Sequence, residues 1–221
     1  MNKLDLLFIV DITGSMGGFI SDAQERMKVM LGKLVESHDL DLKVGLSLYK
    51  DHASQGDDYV TITFDLMGND KIQETIDRID VGGGGDYPEA VLDGIINGME
   101  DMSWRDDSRR IAFLIGDAPA HGMYNNEPCC LCGKTWGDAV VSVEKNEAVI
   151  YSILLGSEDR ARDNFRAIAS YTGGFLIESD NAMDAIVRTL KDVMSEESIE
   201  SKVLAEMSQT EDVEDLLKIN R

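Results

Sequence analysis

The residues best equipped for chemistry lie in Asp11-Ile12-Thr13-Gly14-Ser15-Met16, directly after the apolar run Leu6 to Val10. Alternate positions Asp11, Thr13 and Ser15 offer a carboxylate and two hydroxyls to one side of a turn. Two further aspartates occupy comparable places. Asp86 ends the run Gly82 to Gly85, and Asp117 follows the apolar run Ile111 to Ile115. Three converging carboxylates repel one another, so a bound cation is the economical explanation. All the donors are oxygens, which favours Mg²⁺ or Mn²⁺ over zinc. A helix cap would account for Asp-x-Thr-x-Ser alone, but not for aspartates at two more strand ends. The glycine run is not a phosphate loop, because no Gly-Lys-Ser/Thr follows it.

A second constellation is His121 with Cys129, Cys130 and Cys132, one imidazole and three thiols that can be written as a tetrahedral zinc site. Adjacent cysteines make poor joint ligands, and Cys-Cys-x-Cys lacks the usual Cys-x-x-Cys pairing. Reduced loop cysteines with some redox sensitivity are the better reading, and zinc is the second. His121 is expected to make a structural hydrogen bond near the Asp117 loop.

Positioning these groups requires an alternation of strands and helices. Short apolar runs at Leu6 to Val10, Leu42 to Tyr49, Ile111 to Ile115, Val149 to Leu155 and Phe175 to Ile177 read as strands. Apolar residues at three- and four-residue steps between them read as helices, for example Ile20, Ala23, Met27, Met30, Leu31 and Leu34. Tyr59 to Phe64 lies so close after Leu42 to Tyr49 that the two should pair antiparallel at a sheet edge. Pro88 suits the first turn of a helix running to about Met102. The expected fold is α/β: a doubly wound, mostly parallel sheet with one antiparallel edge strand and helices on both faces. Residues 1–196 form the domain, and 197–221 an acidic, partly helical tail.

Composition narrows the function. The 221 residues carry 42 acidic and 21 basic side chains, a formal net charge of −21. Such a surface repels phosphate backbones and anionic lipid headgroups, so neither nucleic acid nor membrane is an expected partner. Cations and basic protein faces suit it. No apolar run reaches the roughly 18 residues of a spanning helix, and Met1 to Val10 does not make a secretory leader. The three clustered cysteines cannot staple a fold, and a reducing, cytoplasmic setting is expected.

Asp-x-Thr-Gly-Ser-Met after an apolar first strand resembles the metal-ion-dependent adhesion site, or MIDAS, of von Willebrand factor A domains. Tyr49-Lys50-Asp51-His52, Gly82 to Ala90, Trp104-Arg105, Asp117 to Gly122 and Ala169 to Gly174 are similar to an intracellular branch of that family. The resemblance implies that Thr13 and Ser15 ligate a metal directly, and that Asp11 and Asp117 do so directly or through water. Asp86 stands where the family usually has a threonine. An extra carboxylate lowers the net charge at the metal and weakens its pull on an acidic partner residue. The implied function is non-catalytic: an adaptor docking a protein partner through a carboxylate or a basic face, with an AAA ATPase or a kinase or phosphatase module as the class of partner. The alternative is a Mg²⁺-dependent phosphohydrolase of haloacid-dehalogenase type. That chemistry needs Asp-x-Asp, whose second carboxylate acts as the acid, and Thr13 occupies this position.

Overall fold

The computed structural model describes residues 2–38, 40–52, 59–84, 87–123, 127–178 and 181–195. Its elements run β1 (Asn2–Asp11), a single 3₁₀ turn (Gly14–Met16), α1 (Gly17–His38), β2 (Leu40–Tyr49), β3 (Thr61–Met67), α2 (Asn69–Ile76), α3 (Val91–Asp101), β4 (Arg109–Gly116), α4 (Trp136–Lys145), β5 (Val149–Leu154), α5 (Asp159–Tyr171), β6 (Leu176–Glu178) and a helix over 182–195. The six strands are ordered β3-β2-β1-β4-β5-β6. Every neighbouring pair is parallel except β2 and β3 at the edge. This is the doubly wound, mostly parallel sheet expected from the sequence.

The chain order reverses at β1, whose two neighbours are β2 and β4. A crevice at the carboxyl ends of β1 and β4 is where such sheets place their ligands. Asp11 and Asp117 stand at those two ends.

Side chains alternate across the sheet. Leu7 and Ile9 of β1 face Val91, Ile95 and Met99 of α3, in a core that α4 and α5 complete with Val143, Phe165 and Ile168. Phe8 and Val10 face the other way, against Ile20, Ala23 and Met27 of α1 and Ile76 of α2. Helices therefore cover both faces. The chain divides into two compact units, Met1–Met183 and Asp184–Arg221. In the second, Ile186, Leu190 and Val193 recur at helical spacing. The expected tail, 197–221, lies outside the described residues.

Two elements differ from expectation. The first strand begins at Asn2 rather than Leu6, and it carries Asp5 fully buried. Arg105 supports that carboxylate, with its backbone N–H 2.8 Å and its Nε 2.7 Å from the two oxygens. The helix expected to begin at Pro88 begins at Val91 instead. Glu89 is held as a strand-like bridge to Ala120: its N–H donates to Pro119 O, and its carbonyl accepts from the His121 N–H, both at 2.9 Å.

Helix α3 lies unusually close to the sheet because it carries glycines on its inner face. A Cβ at Gly98 would sit 2.8 Å from Ser47 Cβ, and Ser47 Oγ donates 2.7 Å to Gly94 O. Gly98→Ala should cost about 1–3 kcal/mol through overpacking. The check is a urea midpoint lowered with the slope unchanged.

Candidate metal centre

The first loop leaves β1 as the central strand ends. Asp11 is fully buried, and its Oδ1 accepts the Thr13 N–H at 2.8 Å and the Thr13 hydroxyl at 2.6 Å. This local ring bends the chain into the 3₁₀ turn and sets Thr13 Oγ1 3.4 Å from Ser15 Oγ. The other carboxylate oxygen, Asp11 Oδ2, is buried and accepts no hydrogen bond. Burial pushes Asp11 up to about 7; the Thr13 hydrogen bonds oppose this, while the charges of Asp117 and Asp51 add to it.

The second loop is tied to the first through backbone, and the third to the second through the Glu89 bonds to Pro119 and His121. Gly82 N–H donates to Ile12 O at 3.0 Å, and Gly14 N–H to Gly83 O at 3.4 Å. Gly84 adopts φ +75°, and a Cβ there would lie 2.8 Å from Thr13 Cγ2 and 3.0 Å from Glu89 Oε1. Only glycine allows that approach. Thr13, Ser15, Tyr87, Glu89 and Asp117 line one open cavity of about 350 Å³. Beneath it lies Tyr49, fully buried, whose hydroxyl reaches Ile115 O at 3.5 Å. Its phenol is held well above its ordinary value by burial and then by Asp11, Glu89 and Asp117. Gly116 makes room for this arrangement, because a Cβ there would meet Tyr49 Oη at 2.5 Å and Asp11 Cβ at 3.3 Å.

The structure thus brings together Asp11, Thr13, Ser15 and Asp117. Asp86 lies outside the described residues. Glu89 is a carboxylate on the same cavity that the sequence reading overlooked; three residues of the chain separate the glycine run from it, and a helix had been expected there. Among the described residues no cationic side chain pairs with Asp11 or Asp117. A hard divalent ion fits this set, since it takes oxygen ligands at about 2.1 Å and tolerates water in the remaining positions.

The cysteine segment resolves differently. His121 Nε2 lies 3.1 Å from Asp51 Oδ1, and its Nδ1 lies 3.5 Å from Glu127 Oε2. This matches the structural hydrogen bond expected of it. Cys130 and Cys132 instead approach His52 and Asp93, with one ligand atom from each of the four within 4.8 Å of the others. Neither His121 nor Cys129 belongs to that group. All three cysteines are free thiols. Burial, the Cys132 hydrogen bond and the Asp93 charge push the Cys130 thiol up to about 12. No local signal marked His52 or Asp93, which come from the segment just after β2 and the first turn of α3.

Comparison with known proteins agrees with this geometry. Residues 5–131 match the sequence model of the von Willebrand factor A domain. Alpha-protein kinase vwkA of Dictyostelium discoideum is 34% identical over 120 residues, which cover 54% of this chain and 19% of that protein. The putative ariadne-like RING finger protein R811 of Acanthamoeba polyphaga mimivirus is 23% identical over 205 residues, covering 87% of this chain and 20% of that protein. The chain spans about a fifth of the length of these curated relatives. Among solved structures, the open conformation of the pilus adhesin SpaC from Lactobacillus rhamnosus GG superposes with a TM-score of 0.58 at 13% identity, covering 89% of this chain and 30% of that one. Proximal thread matrix protein 1 from the mussel byssus, with a zinc-occupied MIDAS motif, gives a TM-score of 0.58 at 16% identity, covering 87% and 44%. At these identities the structures speak for the fold, whereas the sequence model covers more than half the chain. The loop that closes β1 and the family match over the same stretch lead to one conclusion: this chain belongs to the von Willebrand factor A domain family.

Proposed function

We propose that this chain is a non-catalytic, metal-dependent protein-interaction module that holds Mg²⁺ or Mn²⁺ at the carboxyl end of its sheet. One observation carries the reading. Asp11 keeps a buried carboxylate oxygen without a hydrogen-bond donor, in a loop whose two hydroxyls share a cavity edge with Asp117. Thr13 and Ser15 would ligate through their hydroxyls, and Asp11 and Asp117 directly or through water, with Asp86 as a further carboxylate. The bound ion would supply positive charge and an open coordination position for a partner's oxygen.

The chain's own residues do the rest. Thr13 fixes the orientation of Asp11, and the backbone bonds to Gly82 and Gly83 fix the height of the second loop. Ser15 is exposed, and Tyr87, 42% exposed, borders the same cavity. A docking partner would meet both. Each curated relative carries the matched region as a small share of a longer protein, one described as an alpha-protein kinase and the other as a RING finger protein. This supports an accessory role beside an enzyme on another domain or chain, and favours a kinase module among the expected partners. The zinc named for the mussel protein's MIDAS supports a divalent site on this fold. Among the described residues no helix is long and apolar enough to cross a membrane; the cytoplasmic setting is proposed from the three clustered cysteines alone.

The phosphohydrolase alternative gains no support, because the Thr13 hydroxyl donates to Asp11 where that chemistry needs an acid. The test is affinity capture from native lysate by wild type and by Asp117→Ala, each with Mg²⁺ and with chelator. Melting curves establish that both proteins are folded. A partner kept by wild type with Mg²⁺ and lost in the other three samples is the expected result. Captured proteins that ignore both the metal and the substitution would overturn the docking mechanism.

A further inference from the structure

The cluster beneath the 121–135 segment has a composition unlike the oxygen site. His52, Asp93 and Cys130 are buried, and Cys132 is the exposed member of the four. His52 Nε2 and Asp93 Oδ2 face each other at 3.4 Å, and both atoms are buried without a hydrogen-bond partner. Cys132 Sγ lies 3.1 Å from Asp93 Oδ1 and 2.7 Å from Cys130 Sγ. Three elements distant in sequence thus converge two thiols, one imidazole nitrogen and one carboxylate oxygen.

We infer that His52, Asp93, Cys130 and Cys132 form a tetrahedral zinc site, separate from the oxygen site and holding the 121–135 segment to the body of the domain. Zinc binds thiolate at about 2.3 Å and imidazole or carboxylate at about 2.0–2.2 Å, so a tetrahedron sets its ligand atoms roughly 3.3–3.8 Å apart. The four atoms here, all within 4.8 Å of one another, need little movement to reach that shape. Soft sulfur with imidazole nitrogen selects zinc over the hard cations suited to the first loop.

Local backbone serves the same end. Gly133 adopts φ +90°, and its N–H donates 2.9 Å to Cys130 O. That turn brings the sulfurs of Cys130 and Cys132 together while Leu131, 63% exposed, points to solvent. Cys130 N–H donates 2.7 Å to Lys134 O, closing the loop. A Cβ on Gly122 would lie 2.8 Å from Cys130 N, so the incoming strand of the segment can pass only as glycine. Charge also balances. Two thiolates and a carboxylate carry one more negative charge than a divalent ion offsets, and Lys134 Nζ, 3.0 Å from Asp93 Oδ1, supplies the difference. Through Oδ1, Lys134 also orients Asp93 so that Oδ2 faces His52, the usual work of a group behind a metal ligand.

The experiment uses the full chain, purified without chelator in a phosphine reductant, with zinc measured by elemental analysis and Co²⁺ as a spectroscopic probe. Wild type should retain one zinc per chain. Cobalt-exchanged protein should show a thiolate-to-cobalt charge-transfer band with the intense visible bands of tetrahedral coordination. Cys129→Ser should keep the zinc and Cys132→Ser should lose it. Asp11→Asn should also keep it, which separates this site from the oxygen site. If Cys132→Ser does not fold, the wild-type cobalt spectrum decides alone. The inference is overturned by wild type without zinc or a cobalt–thiolate band, or by equal zinc loss in Cys129→Ser and Cys132→Ser.

Discussion

Asp11→Asn should abolish stabilisation by Mg²⁺ and, without metal, should leave the domain more stable than wild type at about pH 8. The reason is the carboxylate's burial. Asp11 is held up at about 7 from an ordinary 3.8, so the folded state binds its proton more tightly than the unfolded chain does. The stabilisation from this protonation is complete below about 3.8 and is lost as the pH rises through about 7. Three or so pKa units correspond to at most about 4 kcal/mol across that window. Asparagine is neutral throughout, keeps an oxygen for the Thr13 N–H and hydroxyl, and removes the slope. Urea unfolding of both proteins in chelator, from about pH 4 to about pH 8, measures the difference. Repeating it with Mg²⁺ should restore wild type at the high end and leave the variant unchanged. Metal-free wild type with a flat profile would falsify the account of a carboxylate buried at a cost that a cation relieves.

Arg105→Ala should be the most damaging single change away from the metal centre. Asp5 is fully buried inside a parallel strand, where a charge persists only with partners. Arg105 supplies a backbone N–H and Nε, and Ser108 Oγ donates at 2.7 Å. The same guanidinium donates Nη2 to Leu4 O and Asp41 O, at 3.1 and 2.7 Å, and so clamps the amino ends of β1 and β2. Truncation leaves the backbone N–H and Ser108 on Oδ2 but takes the guanidinium's charge and its bond to Oδ1 from a buried carboxylate, and should cost about 3–5 kcal/mol, a large share of the 5–15 kcal/mol typical of a domain. Removing the carboxylate as well, in Asp5→Ala with Arg105→Ala, should recover part of that loss. A double variant no more stable than Arg105→Ala would show that the damage comes from lost bridging to Leu4 and Asp41 rather than from a stranded charge.

The architecture was legible because the hydrophobic periods are strong. Continuous apolar runs marked the buried parallel strands, and three- and four-residue steps marked the helices between them. The short link after Tyr49 placed the antiparallel edge strand. Asp5 was missed as a strand residue because a lone charge in an apolar run breaks the pattern, and its partner lies a hundred residues away. Pro88 misled for a similar reason. It is compatible with a helix start, but the bonds from Glu89 N–H to Pro119 O and from His121 N–H to Glu89 O hold Glu89 as a bridge and delay the helix to Val91.

The candidate metal centre divides along the same line. Asp11, Thr13 and Ser15 were readable because they sit on one turn, and their geometry follows from bonds two residues long. Asp117 was readable because it lies just past the continuous apolar run Ile111 to Ile115, which marks a buried strand's carboxyl end. The sequence by itself determined the alternation of strands and helices, the family, and which loop carries the oxygen donors, since each depends on residues close along the chain. Only the tertiary structure decided that Glu89 shares the cavity and that Cys130 and Cys132 meet His52 and Asp93 rather than His121 and Cys129. Those contacts join loops at the ends of different strands, and the register and tight packing of the sheet, not local spacing, determine which side chains meet there.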